Sequence, residues 1–221
     1  MTRAITGGWC LLLVPLLAAA SSMDLMAAKD RSFCEHVLEL LQKNAGPGPG
    51  LHLDAEPFTG ITWEPVAIAG TAPRMRRCSS LDKALVDLDN DGTKDLVVKT
   101  SFCMKGAPSD SFYVFPADSR VLELASWQDM APLLATPDKF ERTGGSYPLT
   151  GLPPGPGMDK DQPSLRTVFT VQPFLLQGRT YIALTDGRGE WTVIAHYLRG
   201  ERFEDLCYVK NPLAAISRSL Q

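Results

Sequence analysis

One stretch of this sequence joins a regular charge pattern to a strand pattern: Asp87-Leu88-Asp89-Asn90-Asp91-Gly92-Thr93-Lys94-Asp95, followed directly by Leu96-Val97-Val98. Carboxylates stand at positions 1, 3, 5 and 9 of the first nine residues, and glycine stands at position 6. Calcium in proteins takes roughly six to eight oxygen ligands, and a tight loop turns alternate side chains toward one centre. The spacing therefore predicts a calcium-binding loop over residues 87–95.

Each position of this loop has an expected role. Asp87, Asp89 and Asp91 supply carboxylates, Thr93 supplies its backbone carbonyl, and Asp95 completes the shell directly or through a water. The glycine permits the sharp turn because it has no Cβ. Without a cation, each close pair of carboxylates repels by on the order of 1 kcal/mol even in water. The alternative interpretation is an exposed acidic turn between two strands, in which Asp and Gly serve only as turn formers.

The residues on either side of the loop distinguish between two kinds of calcium site. An EF-hand requires a bidentate Glu at position 12 and a helix on each side. Position 12 is Val98, and the flanks 84–86 and 96–100 are short, apolar and rich in β-branched residues, which predicts strands. The sequence thus predicts a strand–loop–strand calcium site.

In this arrangement the segment resembles the FG-GAP/VCBS repeat found in integrin-type β-propellers and in many secreted bacterial proteins. The resemblance covers residues 84–115 of the 221-residue chain. It implies that the four loop aspartates bind calcium. A propeller needs several blades, and no second D-x-D-x-D-G occurs in the sequence. The expected fold is therefore mainly β with one N-terminal helix, either propeller-like or another antiparallel β-rich architecture, stabilised by disulfides.

Residues 1–22 have the features of a secretory signal peptide. Arg3 gives a basic start, Cys10–Leu17 form an apolar core, and Ala18–Ala20 offer a small-residue cleavage site, with cleavage after Ser22 as an alternative. The apolar run is too short to span a bilayer, and no later segment reaches 18 apolar residues. A signal anchor is the other interpretation. We expect a periplasmic or extracellular protein with no transmembrane segment after signal removal.

The cysteines fit export. Cys34, Cys78, Cys103 and Cys207 lie outside the signal peptide, an even number suited to an oxidising compartment. Four cysteines allow three pairings. We favour Cys78 with Cys103, which would bracket the calcium loop, and Cys34 with Cys207, which would tie the N-terminal helix to the C-terminal strand.

The chain after the signal peptide divides into an N-terminal helix with a Gly/Pro linker (23–50) and a β-rich domain (51–221) that contains the calcium loop. The amphipathic pattern of Asp30–Asn44 predicts the helix. Further strands are expected over 61–68, 167–171, 174–176, 180–185, 191–198 and 206–209, with mixed helical character over 121–135. Residues 143–163 are rich in Gly and Pro and are expected to form a long loop. The formal net charge of −3 does not suggest binding to nucleic acid.

No catalytic motif accompanies the calcium pattern. The chain contains three histidines, none within H-E-x-x-H, and no G-x-S-x-G is present. His196 is expected to be a satisfied or surface histidine of a strand, and Trp191 a core or rim residue, with a sugar site at Glu190 and Trp191 as the alternative. We therefore expect an exported, non-enzymatic calcium-binding module whose partner is an unidentified envelope protein or glycan. The alternative function is a secreted hydrolase, or a hydrolase inhibitor, that uses loop 143–163.

Overall fold

A computed structural model of the chain describes residues 23–44, 51, 53, 56–58, 60–66, 80–104, 107–124, 126, 129, 147–148, 164–165, 168–186, 189–198 and 202–211. These residues form two antiparallel sheets that pack face to face, with one α-helix on the outside. The expectation of a mainly β, antiparallel fold with one N-terminal helix is confirmed. The described residues form neither a propeller nor a closed barrel, so the fold is the second of the two architectures that the sequence left open.

The elements follow one another in a simple order. The strands are β1 (Asp24–Ala28), β2 (Glu64–Pro65), β3 (Ser80–Val86), β4 (Asp95–Met104), β5 (Ala107–Pro116), β6 (Tyr147–Pro148), β7 (Ser164–Leu165), β8 (Val168–Leu176), β9 (Arg179–Asp186), β10 (Trp191–Leu198) and β11 (Arg202–Lys210). The helix α1 spans Arg31–Lys43, and a short 3₁₀ helix spans Arg120–Glu123. The larger sheet has the order β1-β11-β10-β9-β8, the smaller one β2-β3-β4-β5, and β6 pairs with β7.

The larger sheet is buried on both faces. In β9, Ile182 and Leu184 point into the core between the two sheets, whereas Tyr181 and Ala183 point into a second core beneath α1. Successive side chains of a strand alternate between the faces, so a strand covered on both sides is apolar throughout. This explains the continuous apolar run at the centre of β9, over residues 181–184.

Helix α1 begins and ends where its capping residues predict. The side chain of Asp30 accepts a hydrogen bond from the Phe33 backbone amide at 3.0 Å, which is the usual N-cap arrangement. Val37 and Leu41 are buried against the larger sheet. Cys34 forms a disulfide with Cys207 of β11, with a Cα–Cα distance of 5.6 Å. The predicted pairing of these two cysteines is confirmed, and it joins the helix to the C-terminal strand.

The 3₁₀ helix packs on part of the outer face of the smaller sheet. Val121 packs into a third apolar core on this face, with Leu96 and Val98. Lys83 of β3 is buried there, and its ammonium group donates to the carbonyls of Leu122 and Leu124, the latter at 3.2 Å. Glu64 of β2 lies 3.2 Å from the same ammonium group. Within the described residues of 121–135, the expected helical character is present in the 3₁₀ turn that ends at Glu123 and in Asp129, which is also helical.

The two sheets meet at the edge strands β5 and β8. The carboxylate of Asp110 in β5 accepts a hydrogen bond from the backbone amide of Val171 in β8 at 2.9 Å. Strand β8 is the last strand of its sheet, which explains why it tolerates Pro173, a residue without an amide hydrogen to donate. The segments 167–171 and 174–176, expected as two strands, are therefore parts of one strand that runs through the proline.

Several features differ from the sequence expectations or lie beyond the described residues. Strand β1 was not predicted, although it pairs with β11 over Asp24–Ala28. The strand expected over 61–68 is confined to Glu64–Pro65 within the described residues 60–66. Two predicted segments lie outside the described residues, namely the linker 46–50 and most of the loop 143–163. The predicted pairing of Cys78 with Cys103 also rests on side chains outside the described part of the chain. No described helix has both the length and the apolar character needed to cross a membrane.

Candidate metal centre

The aspartate loop connects β3 to β4, the central hairpin of the smaller sheet. The two strands pair without interruption from Ser80–Ser101 to Val86–Asp95, so residues 87–94 form the hairpin connection. Leu88, the second residue of the loop, is fully buried in the core between the sheets, with Val97 among its neighbours. The strand–loop–strand form expected from the flanks is therefore present, and an apolar side chain anchors the loop.

Three of the predicted side chains lie together. Asp87, Asp89 and Asp91 each offer a carboxylate oxygen, and these three atoms lie within 4.8 Å of one another. Asp91 is exposed, and the other two are partly buried. A group of this kind can hold a cation from one side, with further oxygens supplied by backbone or water. Exposed acidic groups are common in proteins that bind no metal, so the geometry is also compatible with an acidic turn.

The loop's own backbone amides point toward the carboxylates. The amides of Asp91 and Gly92 each donate to Asp87, on separate carboxylate oxygens and both at 3.0 Å. The amide of Asp91 also lies 3.3 Å from Asp89 Oδ1, and the amide of Thr93 donates to Asp91 at 2.7 Å. These bonds reduce the repulsion between the acidic side chains because each places a positive hydrogen beside negative oxygen.

Two backbone conformations make this arrangement possible. Asn90 has a φ of 61° and Gly92 a φ of 90°, both in the left-handed region. Asparagine and glycine are the residues that adopt this region most readily. The chain consequently turns twice within three residues, and the carboxylates on either side of Asn90 come to lie on the same side of the loop.

Asp95 and Thr93 occupy different places from the three grouped aspartates. Asp95 is the buried first residue of β4, and its Oδ2 accepts a hydrogen bond from the Leu88 amide at 3.3 Å. It braces the start of the loop and is not one of the three side chains whose oxygens lie within 4.8 Å. Thr93 is exposed, and its amide is bonded to Asp91.

Asn90 joins the loop to the opposite sheet, a contact that the sequence pattern does not predict. Its side-chain amide donates to the backbone carbonyl of Thr180 at 3.0 Å, and its oxygen accepts from the Thr180 amide at 2.7 Å. The two residues are 90 positions apart, so no local pattern announces the pair. The only signals in the sequence are an asparagine at a turn position and the lone apolar Leu88 in an otherwise polar loop.

His196 and Trp191, which the sequence singled out, both make intramolecular contacts. The His196 ring stacks on Tyr181, with centroids 4.8 Å apart, beneath α1. Burial lowers the pKa of His196, and a hydrogen bond with the Thr180 backbone partly opposes this effect. The Trp191 ring stacks on Tyr208 at 5.1 Å, and Lys210 Nζ lies 5.8 Å from its centroid. The contacts of Trp191 agree with the expected role as a core or rim residue. His196 has a structural place in its strand, but its Nδ1 is buried without a hydrogen-bond partner among the described residues, so this histidine is not fully satisfied as expected.

Comparison with known proteins gives no information on the loop. No protein-family model, curated protein or solved structure matches this chain. The resemblance to the FG-GAP/VCBS repeat therefore stays a prediction from the motif over residues 84–115. The geometric basis for a metal centre is the grouping of Asp87, Asp89 and Asp91 on a hairpin loop that the core and the opposite sheet hold in place.

Proposed function

We propose that this chain is an exported calcium-binding protein, and that calcium in the β3–β4 loop stabilises a module that binds a partner and performs no catalysis. The observation that carries the calcium part is the grouping of three carboxylate oxygens from Asp87, Asp89 and Asp91 within 4.8 Å. Oxygen ligands at alternate positions of a short loop suit a hard cation of flexible coordination, which favours calcium over a transition metal.

Two further features support export and a binding role. The disulfide between Cys34 and Cys207 is of a kind that persists in oxidising compartments, in agreement with the signal-like residues 1–22. The sequence combines a specific metal motif with no recognised catalytic motif. The partner we propose is an envelope protein or glycan. Saturable binding that chelation removes would support this role, and turnover of a polysaccharide or peptide would contradict it.

The calcium proposal is tested by thermal unfolding of the oxidised protein in EDTA, in magnesium and in a calcium series. Extracellular calcium modules have dissociation constants near 10⁻⁴–10⁻³ M. At about 1 mM calcium and the tight end of that range, binding adds roughly 1.4 kcal/mol, or a rise in Tm of roughly 3–6 °C. Magnesium should give a smaller rise, because it prefers rigid octahedral sites.

The informative variant is Asp89→Asn. It keeps the size of the side chain and the oxygen that accepts from the Asp91 backbone amide, but it removes the negative charge. In EDTA this variant should be at least as stable as the parent, because one repulsive charge is gone. In calcium it should lose the rise in Tm. The control is Asp118→Asn, an exposed aspartate after β5, which should keep the full rise. No calcium-specific rise in the parent would identify the loop as an acidic turn.

A further inference from the structure

Thr180 has both of its backbone groups available to Asn90 because of where it lies in the larger sheet. The β8–β9 hairpin closes through a two-residue turn, Gln177–Gly178, with φ values of 52° and 77°. The last residues of β9 and β10 that pair with each other are Ile182 and Ala195, so the pairing stops two residues short of Thr180. Thr180 is therefore outside the regular β9–β10 pairing. The Asn90 side chain makes two hydrogen bonds to it: the amide nitrogen donates to the Thr180 C=O, and the amide oxygen accepts from the Thr180 N–H.

The side chain of Asn90 thus takes the place of a strand residue. An asparagine side chain carries one carbonyl and one amide group, the same donor and acceptor that a peptide unit offers to a neighbouring strand. Thr180 is buried, so loss of the Asn90 side chain would leave the Thr180 N–H without this acceptor and the Thr180 C=O with only its contact to His196, away from bulk water. The contact consequently fixes the backbone of the loop at Asn90 relative to β9.

This fixed point lies between two of the three grouped carboxylates. Asp89 and Asp91 flank Asn90 in the chain, and the left-handed φ of 61° at Asn90 determines how the chain directs their side chains. A loop held in this form has already given up conformational freedom before a ligand arrives, which is the general basis of preorganised binding. A loop released from Thr180 would have to lose that freedom on binding.

We propose that Asn90 is a positioning residue that couples cation binding in the aspartate loop to the backbone of β9 at Thr180. This inference rests on the proposed calcium site and adds its regulation: the cation and the two Asn90–Thr180 hydrogen bonds strengthen each other. Coupling between two sites is reciprocal, so calcium tightens the attachment of the loop to the larger sheet by the same factor that the attachment contributes to calcium affinity.

The first test compares calcium affinity in Asn90→Gly and in the parent protein by titration calorimetry. Glycine accepts the left-handed conformation without strain, so this variant removes the two hydrogen bonds and keeps the turn. We expect calcium binding to weaken about tenfold, which corresponds to about 1.4 kcal/mol and is of the size expected for lost hydrogen bonds. The matched control is Gln177→Gly, which replaces an exposed non-glycine residue that also has a positive φ and should bind calcium within about twofold of the parent.

A second measurement reads the coupling in the opposite direction and does not alter Asn90. Hydrogen exchange at the Thr180 amide should slow when calcium is added to the parent protein. In Asp89→Asn, which leaves Asn90 and Thr180 unchanged, calcium should have no effect on that amide. A purely structural role for Asn90 would predict no calcium dependence at Thr180 in either protein.

The outcomes separate this inference from the proposed function. In one outcome the parent and Asn90→Gly bind calcium with the same affinity, and calcium does not change hydrogen exchange at the Thr180 amide. The proposed coupling is then wrong, whereas the proposed calcium site is supported. If the parent binds no calcium, both the proposed function and the coupling are overturned. Weakened binding in Asn90→Gly together with calcium-dependent protection of Thr180 in the parent supports both.

Discussion

The carboxylate of Asp110 in β5 accepts a hydrogen bond from the backbone amide of Val171 in β8 at 2.9 Å, and so joins the edges of the two sheets. Lys99 Nζ lies 3.4 Å from the same oxygen. Asp110 is only 2% exposed, so its charge is removed from most of the solvent and depends on these partners. An edge strand has backbone groups that need a partner, and here a side chain from the other sheet supplies one.

Replacement of Asp110 should therefore destabilise the protein strongly. Asp110→Ala leaves the Val171 amide and the largely buried Lys99 ammonium without this acceptor, and we expect a loss of about 2–4 kcal/mol in the free energy of unfolding. Asp110→Asn keeps an acceptor oxygen and should cost less. Urea denaturation measures the difference, with Asp118→Ala as the exposed control expected within about 0.5 kcal/mol of the parent. Equal effects of Asp110→Ala and Asp118→Ala would contradict the assigned contact.

Leu88 should contribute to stability independently of any metal. It is fully buried between the sheets, so Leu88→Ala is expected to cost about 2–5 kcal/mol in EDTA as well as in calcium. Leu85, three residues earlier on the same hairpin, is 41% exposed and provides a matched control. Leu85→Ala should cost much less. Similar losses for the two variants would show that the loop is not anchored in the core as described.

The bond between Cys34 and Cys207 should contribute substantially to stability. The two residues are 173 positions apart, and cross-links that close long loops restrict the unfolded chain most, by roughly 2–5 kcal/mol. The double variant Cys34→Ala/Cys207→Ala should lose stability in this range by chemical denaturation, and it leaves the other cysteines unchanged. Peptide mapping without reductant should recover residues 34 and 207 in one cross-linked pair. Recovery of either cysteine in another pairing would refute the assignment.

Stability should fall in mild acid through His196. Because burial lowers its pKa in the folded state, the unfolded chain takes up a proton first as the pH falls below about 6.5. The stability that the folded state gains from holding His196 neutral is complete above about pH 6.5. This stability is lost as the pH falls toward the lower pKa of His196 in the folded state. The charged groups nearest His196 are Arg179, Glu204 and Lys29, of which Arg179 and Lys29 also disfavour the imidazolium.

The check is the free energy of unfolding between pH 7 and pH 5 for the parent, His196→Gln and His36→Gln. His196→Gln should show a shallower decline than the parent, because it removes the group whose pKa differs between the states. His36 is exposed on α1, and His36→Gln provides the control for replacing a histidine by glutamine at a surface site. Parallel curves for the parent and His196→Gln would rule out this role for His196.

Local patterns were sufficient to predict the helix and most of the long strands. The apolar spacing and a capping residue, Asp30 or Ser32, predict α1 within a residue of its observed ends, and the predicted strand over 191–198 coincides with β10. The aspartate loop and its flanking strands followed from composition and spacing. These features depend on residues close together in the chain, which is why a single sequence contains them.

The remaining features depend on contacts between distant residues. The order of the strands, the pairing of β1 with β11 and the Asn90–Thr180 contact each join parts of the chain that no local pattern connects. Strand β8 continues through Pro173 because it lies at an edge of its sheet, and edge position is a property of the assembled sheet. The grouping of Asp87, Asp89 and Asp91 was predictable from spacing, whereas the separate position of Asp95 required the structure.

The central claim is that the β3–β4 loop binds one calcium ion, and the most direct test is calcium stoichiometry at equilibrium. The oxidised protein, freed of metal, is dialysed against about 10 mM calcium, roughly tenfold or more above the expected dissociation constant, and bound calcium is measured by atomic absorption as the excess over the dialysate. The account predicts close to one calcium per chain for the parent and for Asp118→Asn, and almost none for Asp89→Asn. Absence of bound calcium in the parent, or equal binding in Asp89→Asn, would contradict it.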